Sequence, residues 1–204
     1  IPFERTSLSP DNYSLLLKNN FGIKNFLLFP DRPLMYIWFE IQNIIIGENS
    51  FRSLIGVFLS SLLTIFVTYL FLSLFFDKKN SIIIIIIYSL FISKLEIFHS
   101  SIFINSNIVS SLYIISLINF IVFIRNNRFI YYFFSLILYS IGIFWYEIGV
   151  FLPVVFFIFS YFFRNNNNYY FKKSIYEILP FIIILLFYLT YRSSGAFGYI
   201  EPFP

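Results

Sequence analysis

The chain predicts an all-helical polytopic membrane protein, and three observations carry that prediction. Of its 204 residues 59% are hydrophobic and 24% aromatic, with only 12% charged, whereas an ordinary soluble domain carries about 25% charged residues. Apolar runs recur along the whole length, separated by short polar breaks. Those breaks hold most of the charge, and cations dominate alternate ones, as expected of loops on the two sides of a bilayer.

A helix crossing about 30 Å of hydrocarbon needs about 20 apolar residues, because lipid offers an unpaired backbone group no partner. Six candidate spans follow: 51–76, 81–96, 107–124, 129–146, 148–163 and 174–192. Residues 129–163 form one apolar stretch, too long for a single crossing and long enough for two short ones. The break falls at Trp145-Tyr-Glu-Ile-Gly149, so the stretch divides at Glu147. Neither the isoleucine run Ile82 to Ile87 nor the tract Asn165 to Asn168 is read as a motif, since residues with AT-rich codons abound throughout.

With six alternating spans, the loops 77–80, 125–128 and 164–173 fall on one side. They hold Lys78, Lys79, Arg125, Arg128, Arg164, Lys172 and Lys173, and cations in short loops mark the cytoplasmic face. Residues 1–50, the turn from Glu96 to Ser106, the Glu147 turn and the tail 193–204 then face outward. Asp11, Asp31, Glu48, Glu96, His99 and Glu147 gather at that outer surface. Placing residues 1–32 outside predicts a further helix before Ile1, and the ending at Glu201-Pro-Phe-Pro204 predicts that the chain is a fragment of a longer protein.

The outer segment 1–50 is expected to carry two surface helices. Residues 11–19 start at an acid suited to an N-cap and continue with apolar side chains. Residues 33–46 start at Pro33, are too short to span, and carry Glu40, Gln42 and Asn43 among aromatics, which suits a helix lying in the interface.

The absence of cysteine excludes disulfides and thiolate metal sites. The net charge of +4 is scattered, with no basic patch interleaved with exposed aromatics, so nucleic acid is not an expected partner. No glycine-rich loop suits a nucleotide.

The ordered set DNYSLL, then FPDRPLMYIWFEIQNIIIGENSFRSLIGVFLSSLLTIFVTYLF, then Trp145-Tyr146-Glu147-Ile-Gly-Val-Phe-Leu-Pro153 resembles the GT-C type integral membrane glycosyltransferases. The likeness is to the bacterial polytopic transferases and the protein O-mannosyltransferase-like group, and runs over most of residues 9–163. In that family an Asp-Asp-Tyr or Asp-Asp-Trp element follows the first helix, an Arg-Pro-Leu element and a Gly-x-Asn come later, and a Lys-Glu turn joins two helices. Two positions depart: Asn12 stands where the second aspartate is expected and Tyr146 where the lysine is. One carboxylate therefore remains where the pattern has two, which tells against metal binding.

The resemblance implies transfer of a sugar from a polyprenyl-phosphate donor to a glycan, lipid or protein acceptor, at the outer face of a bacterial inner membrane. Membrane lipids are the other expected partner, and no cofactor is called for. Asp11 matches the position of the base that deprotonates the acceptor hydroxyl, a role suited to a partly desolvated carboxylate; as a bare residue it reads equally as a helix cap. Arg32 suits phosphate through its guanidinium fork, or the interface as an anchor, and Asp31 beside it joins it as a substrate-binding candidate. Glu147 is expected to orient the acceptor or the first loop, the alternative being a solvated turn. Glu96 and His99 share a face if helical and form the weakest candidates, for a divalent metal. Trp38, Tyr36 and Trp145 read as interface anchors and Arg192 as a snorkelling helix end. Two rival readings are a transporter or flippase of lipid or solute, and a non-catalytic GT-C-like subunit, to which Asn12 points.

Overall fold

The computed structural model describes residues 50–90, 102–163 and 168–196, together with Leu34, Ile37, Trp38 and Ile41. Every regular element among them is a helix. In order they are α1 (Ser50–Leu72), α2 (Lys78–Leu90), α3 (Ile102–Asn126), α4 (Phe129–Trp145), a single 3-10 turn (Glu147–Phe151), α5 (Leu152–Phe163) and α6 (Asn168–Ala196). Three contain stretches long and apolar enough to cross a membrane: Leu54–Leu72, Ile104–Asn126 and Phe171–Ser193. Phe129–Trp145 and Glu147–Phe163 are apolar but shorter. Seventeen residues of α4 extend about 26 Å, just under the hydrocarbon thickness.

The breaks have local causes. After α3, Asn127 adopts φ 52°, the left-handed conformation that asparagine tolerates better than other side chains. Its N–H reaches back to the Phe123 carbonyl at 2.8 Å. Arg128 is extended, with φ −89° and ψ 112°, and starts α4 without a side-chain cap. Tyr146, at φ −156° and ψ 125°, straightens the chain where α4 ends, and its N–H bonds to the Gly142 carbonyl at 2.8 Å. Pro180 lies inside α6, where the missing N–H releases one helical bond to the preceding turn.

Several boundaries differ from expectation: α1 stops at Leu72 and not at residue 76, α2 starts at Lys78 and not at 81, and α3 and α6 also start early. The helix expected over 107–124 begins at Ile102, and Asn105 and Ser106, which read as part of a turn, lie inside it just before Asn107. Asn107 donates to Ser61 Oγ at 2.9 Å and to Ser60 Oγ at 3.3 Å on α1, so its polarity serves a neighbouring helix and not a loop. Likewise α6 begins at Asn168, so Lys172 and Lys173 ride on a helix that overruns its apolar part.

The direction of each helix follows from its cross-links. Ser60 and Ser61 meet Asn107, and Thr64 meets Ser111 one turn further along both helices at 3.1 Å, so α1 and α3 run parallel. Ser116 of α3 and Ser135 of α4 exchange hydroxyl-to-carbonyl bonds of 2.7 and 2.8 Å, while Tyr113 meets Tyr146, so α4 returns antiparallel to α3. Tyr132 and Phe144 of α4 contact Glu177 and Tyr188 of α6 respectively, making α4 and α6 parallel.

Within lipid, helices do not gain by hiding apolar surface from water, and close packing with small polar residues holds them together. That is the composition of the α1–α3 seam: Thr64 donates to the Asn107 carbonyl at 3.0 Å, and Ser60, Thr64, Asn107 and Ser111 are all buried. Behind it lies an aromatic core on α3, α4, α5 and α6. Phe156 and Phe181 have ring centres 4.2 Å apart, Phe120 lies 4.8 Å from Phe156, and Tyr139 5.4 Å from Phe181. The outward faces are apolar: Phe58, Leu59, Phe66, Phe133, Val154 and Phe187 are each more than half exposed. A surface of that kind suits hydrocarbon and not water.

Candidate functional site

The arrangement with most chemical content surrounds Glu147. Tyr113, in the middle of α3, is 4% exposed and inserts its ring between two glycines, Gly142 at the end of α4 and Gly149 in the 3-10 turn. A Cβ at Gly142 would lie 2.8 Å from Tyr113 Cζ, and one at Gly149 2.6 Å from its hydroxyl oxygen. Only residues without a side chain leave room for the ring. Its hydroxyl donates to the Tyr146 carbonyl at 2.6 Å, engaging backbone at the point where α4 stops. A helix end needs such partners, since its last carbonyls have none within the helix.

Held in this way, the turn carries Glu147 to the end of α6. There Glu147 Oε1 lies 3.4 Å from Arg192 Nη1, with the two side chains 24% and 41% exposed respectively. Arg192, read from sequence as a snorkelling end, is a partner of the turn glutamate. No feature of the sequence links the two; parallel packing of α4 and α6 does. A pair this open contributes about 0–1 kcal/mol to stability, so its geometry matters more than its energy.

Beside the turn, Trp145 packs on Trp38, with ring centres 5.4 Å apart and planes inclined by 46°. Both indole nitrogens are buried without a hydrogen-bond partner among the described residues. The pair brings part of the segment preceding α1 against the residue two positions before Glu147. Asn105, near the start of α3, is 4% exposed, and neither amide atom is hydrogen-bonded among the described residues.

Of the other residues singled out in the sequence, Asp11, Asp31, Arg32, Glu96 and His99 lie outside the described residues, as do most of the two surface helices expected over 11–19 and 33–46. Among the described residues no three His, Cys, Asp or Glu side chains converge as a metal group would require.

A second polar cluster was not singled out from sequence. Glu177 lies within the apolar part of α6, and its Oε2 accepts from Ser160 at 2.8 Å. The Ser174 hydroxyl is 2.9 Å from Ser160, and both serines are fully buried. Tyr132 donates to the Glu177 carbonyl at 2.7 Å. The signal available was the carboxylate itself, since an ionisable residue inside a span is costly unless it has partners.

No family model matches the chain, and no curated protein or solved structure matches it.

Proposed function

We propose that the chain belongs to a membrane glycosyltransferase of the GT-C kind, with six crossings and its reaction at the extracytoplasmic face. The single observation that carries this reading is the apposition of the segment before α1 and the Glu147 turn, through Trp38 on Trp145, beside the Glu147–Arg192 pair. Such a juxtaposition is what a first outer loop working with a later turn requires. The cationic loops at the opposite helix ends support the orientation.

In the proposed reaction Asp11 takes the proton from an acceptor hydroxyl. The freed oxygen bonds to the anomeric carbon, and the bond from that carbon to the donor phosphate breaks, its electron pair leaving with the lipid phosphate. Arg32 offers two parallel hydrogen bonds to that phosphate, with Asp31 next to it contacting sugar hydroxyls. Glu147, fixed by Arg192 and by the Tyr113 contact, orients the acceptor.

The test is transfer of labelled sugar from a polyprenyl-phosphate donor by the full-length protein in liposomes. Wild type should transfer, and Asp11→Asn should lose at least a hundredfold, the scale of a missing general base. Equal transfer by Asp11→Asn would remove that residue from the chemistry. A second reading, a carrier for a lipid or solute, draws on Glu177 within α6 and its serine partners. It is favoured if Glu177→Gln abolishes vesicle uptake of substrate while no sugar transfer is detected.

A further inference from the structure

The ends of α1, α3 and α5 meet the starts of α2, α4 and α6 in one strongly cationic collar. Arg125 binds this end together: its Nη2 donates to the Leu74 carbonyl at 2.9 Å, and its guanidinium lies 5.3 Å from the centre of the Phe163 ring. Phe163 in turn contacts Phe75, and Phe171 at the start of α6 packs on Phe157 and Tyr161 of α5.

Lys78, Lys79, Arg125, Arg128, Lys172 and Lys173 are all exposed here. None of α2, α4 and α6 has an acid in its first turn. Lys78 and Lys79 open α2, and Arg128 precedes α4, so cations sit where the helix dipole already favours anions. Asp77, next in sequence to Lys78, accepts from Asn80 at 2.5 Å. Lys78, Lys79, Arg128, Lys172 and Lys173 make no ion pair with a described carboxylate. Among the described residues, this end therefore concentrates positive charge that no described carboxylate pairs with.

The surroundings indicate the source of the missing anion. Directly beside the cations stand exposed rings: Phe76 at 48%, Phe129 at 67%, Phe162 at 71% and Phe171 at 46%. A soluble polyanion would meet this hydrophobic rim unfavourably. An anionic phospholipid satisfies both halves, since its acyl chains cover the rings while its phosphate meets the ammonium and guanidinium groups.

We propose that this collar binds the headgroups of anionic phospholipids, with Arg128, Lys172 and Lys173 as its principal contacts. The inference is independent of what the opposite end of the molecule catalyses. Basic residues at a membrane surface each add roughly a fivefold gain in affinity for acidic lipid.

The experiment titrates the full-length protein in a neutral detergent with dioleoylphosphatidylglycerol or dioleoylphosphatidylcholine and follows its thermal midpoint. Phosphatidylglycerol should raise the midpoint at low salt, and phosphatidylcholine should raise it little. Arg128→Gln combined with Lys172→Gln and Lys173→Gln should weaken the apparent phosphatidylglycerol affinity about a hundredfold. If the triple variant does not fold, Lys173→Gln alone should weaken it about fivefold. Equal responses to the two lipids, undiminished phosphatidylglycerol binding by the folded triple variant or by Lys173→Gln, or an equal shift with inorganic phosphate would each overturn the proposal.

Discussion

Replacing Gly149 with alanine tests whether the Tyr113 slot holds the α4–α5 corner together. The new methyl carbon would stand 2.6 Å from the Tyr113 hydroxyl oxygen, about 1 Å inside ordinary contact distance. The ring has little freedom to withdraw: it is 4% exposed, lies 6.3 Å from the Tyr139 ring, and its hydroxyl is committed to the Tyr146 carbonyl. Overpacking of this kind costs about 1–3 kcal/mol, and displacing the hydroxyl adds about 1 kcal/mol for the lost hydrogen bond. Gly142→Ala meets the same ring, at 2.8 Å from Cζ, but lies inside α4, where alanine is favoured over glycine by about 1 kcal/mol. Gly149→Ala should therefore be the more destabilising, by roughly 2–4 kcal/mol against about 0–2 for Gly142→Ala. Unfolding in mixed detergent micelles, followed by circular dichroism, measures both. The decisive control is Tyr113→Ala: removing the ring is itself costly, but adding Gly149→Ala to it should cost under about 0.5 kcal/mol. An equal penalty with and without the ring would show that the slot is not the reason for the glycine.

Further expectations rest on other contacts. Asn107→Ala removes bonds to Ser60 and Ser61 across the α1–α3 seam, and should cost about 1 kcal/mol, nearer the mean for interhelical bonds in membranes than the value in a dry vacuum; the same unfolding assay reads it. Ser116→Ala breaks a reciprocal pair with Ser135, so the double variant Ser116→Ala with Ser135→Ala should cost less than the sum of the two single changes. Ser160→Ala withdraws a donor from the Glu177 carboxylate and should destabilise by about 1–3 kcal/mol, with full additivity of Ser160→Ala and Glu177→Gln arguing against the contact. Glu147→Gln should change stability by less than about 1 kcal/mol, because the pair with Arg192 is substantially exposed. A marked loss of sugar transfer at unchanged stability would therefore separate an orienting role from a structural one.

The amino-acid sequence by itself determined the solvent and the kind of backbone. Long apolar runs in a chain with 12% charged residues demand helices with internally paired backbone, and the described residues are helical throughout their regular elements. The polar interruption at Trp145-Tyr-Glu-Ile-Gly149 likewise marked a place where a continuous helix ends, and Tyr146 is extended there. Hydropathy acts on every residue separately and holds no information about neighbours, so tertiary structure decided the rest. Only packing moved the start of α3 back over Asn105 and Ser106, which read as an apparent turn, with Asn107 beside them bonded to α1. The parallel course of α4 and α6 brought Arg192 to Glu147 across a wide sequence separation, and three chain segments had to converge before Gly142 and Gly149 became a slot for Tyr113. In a bilayer, where apolar surface is content to face lipid, the choice of partner falls to small residues and a few hydrogen bonds, and those are visible only once the helices are side by side.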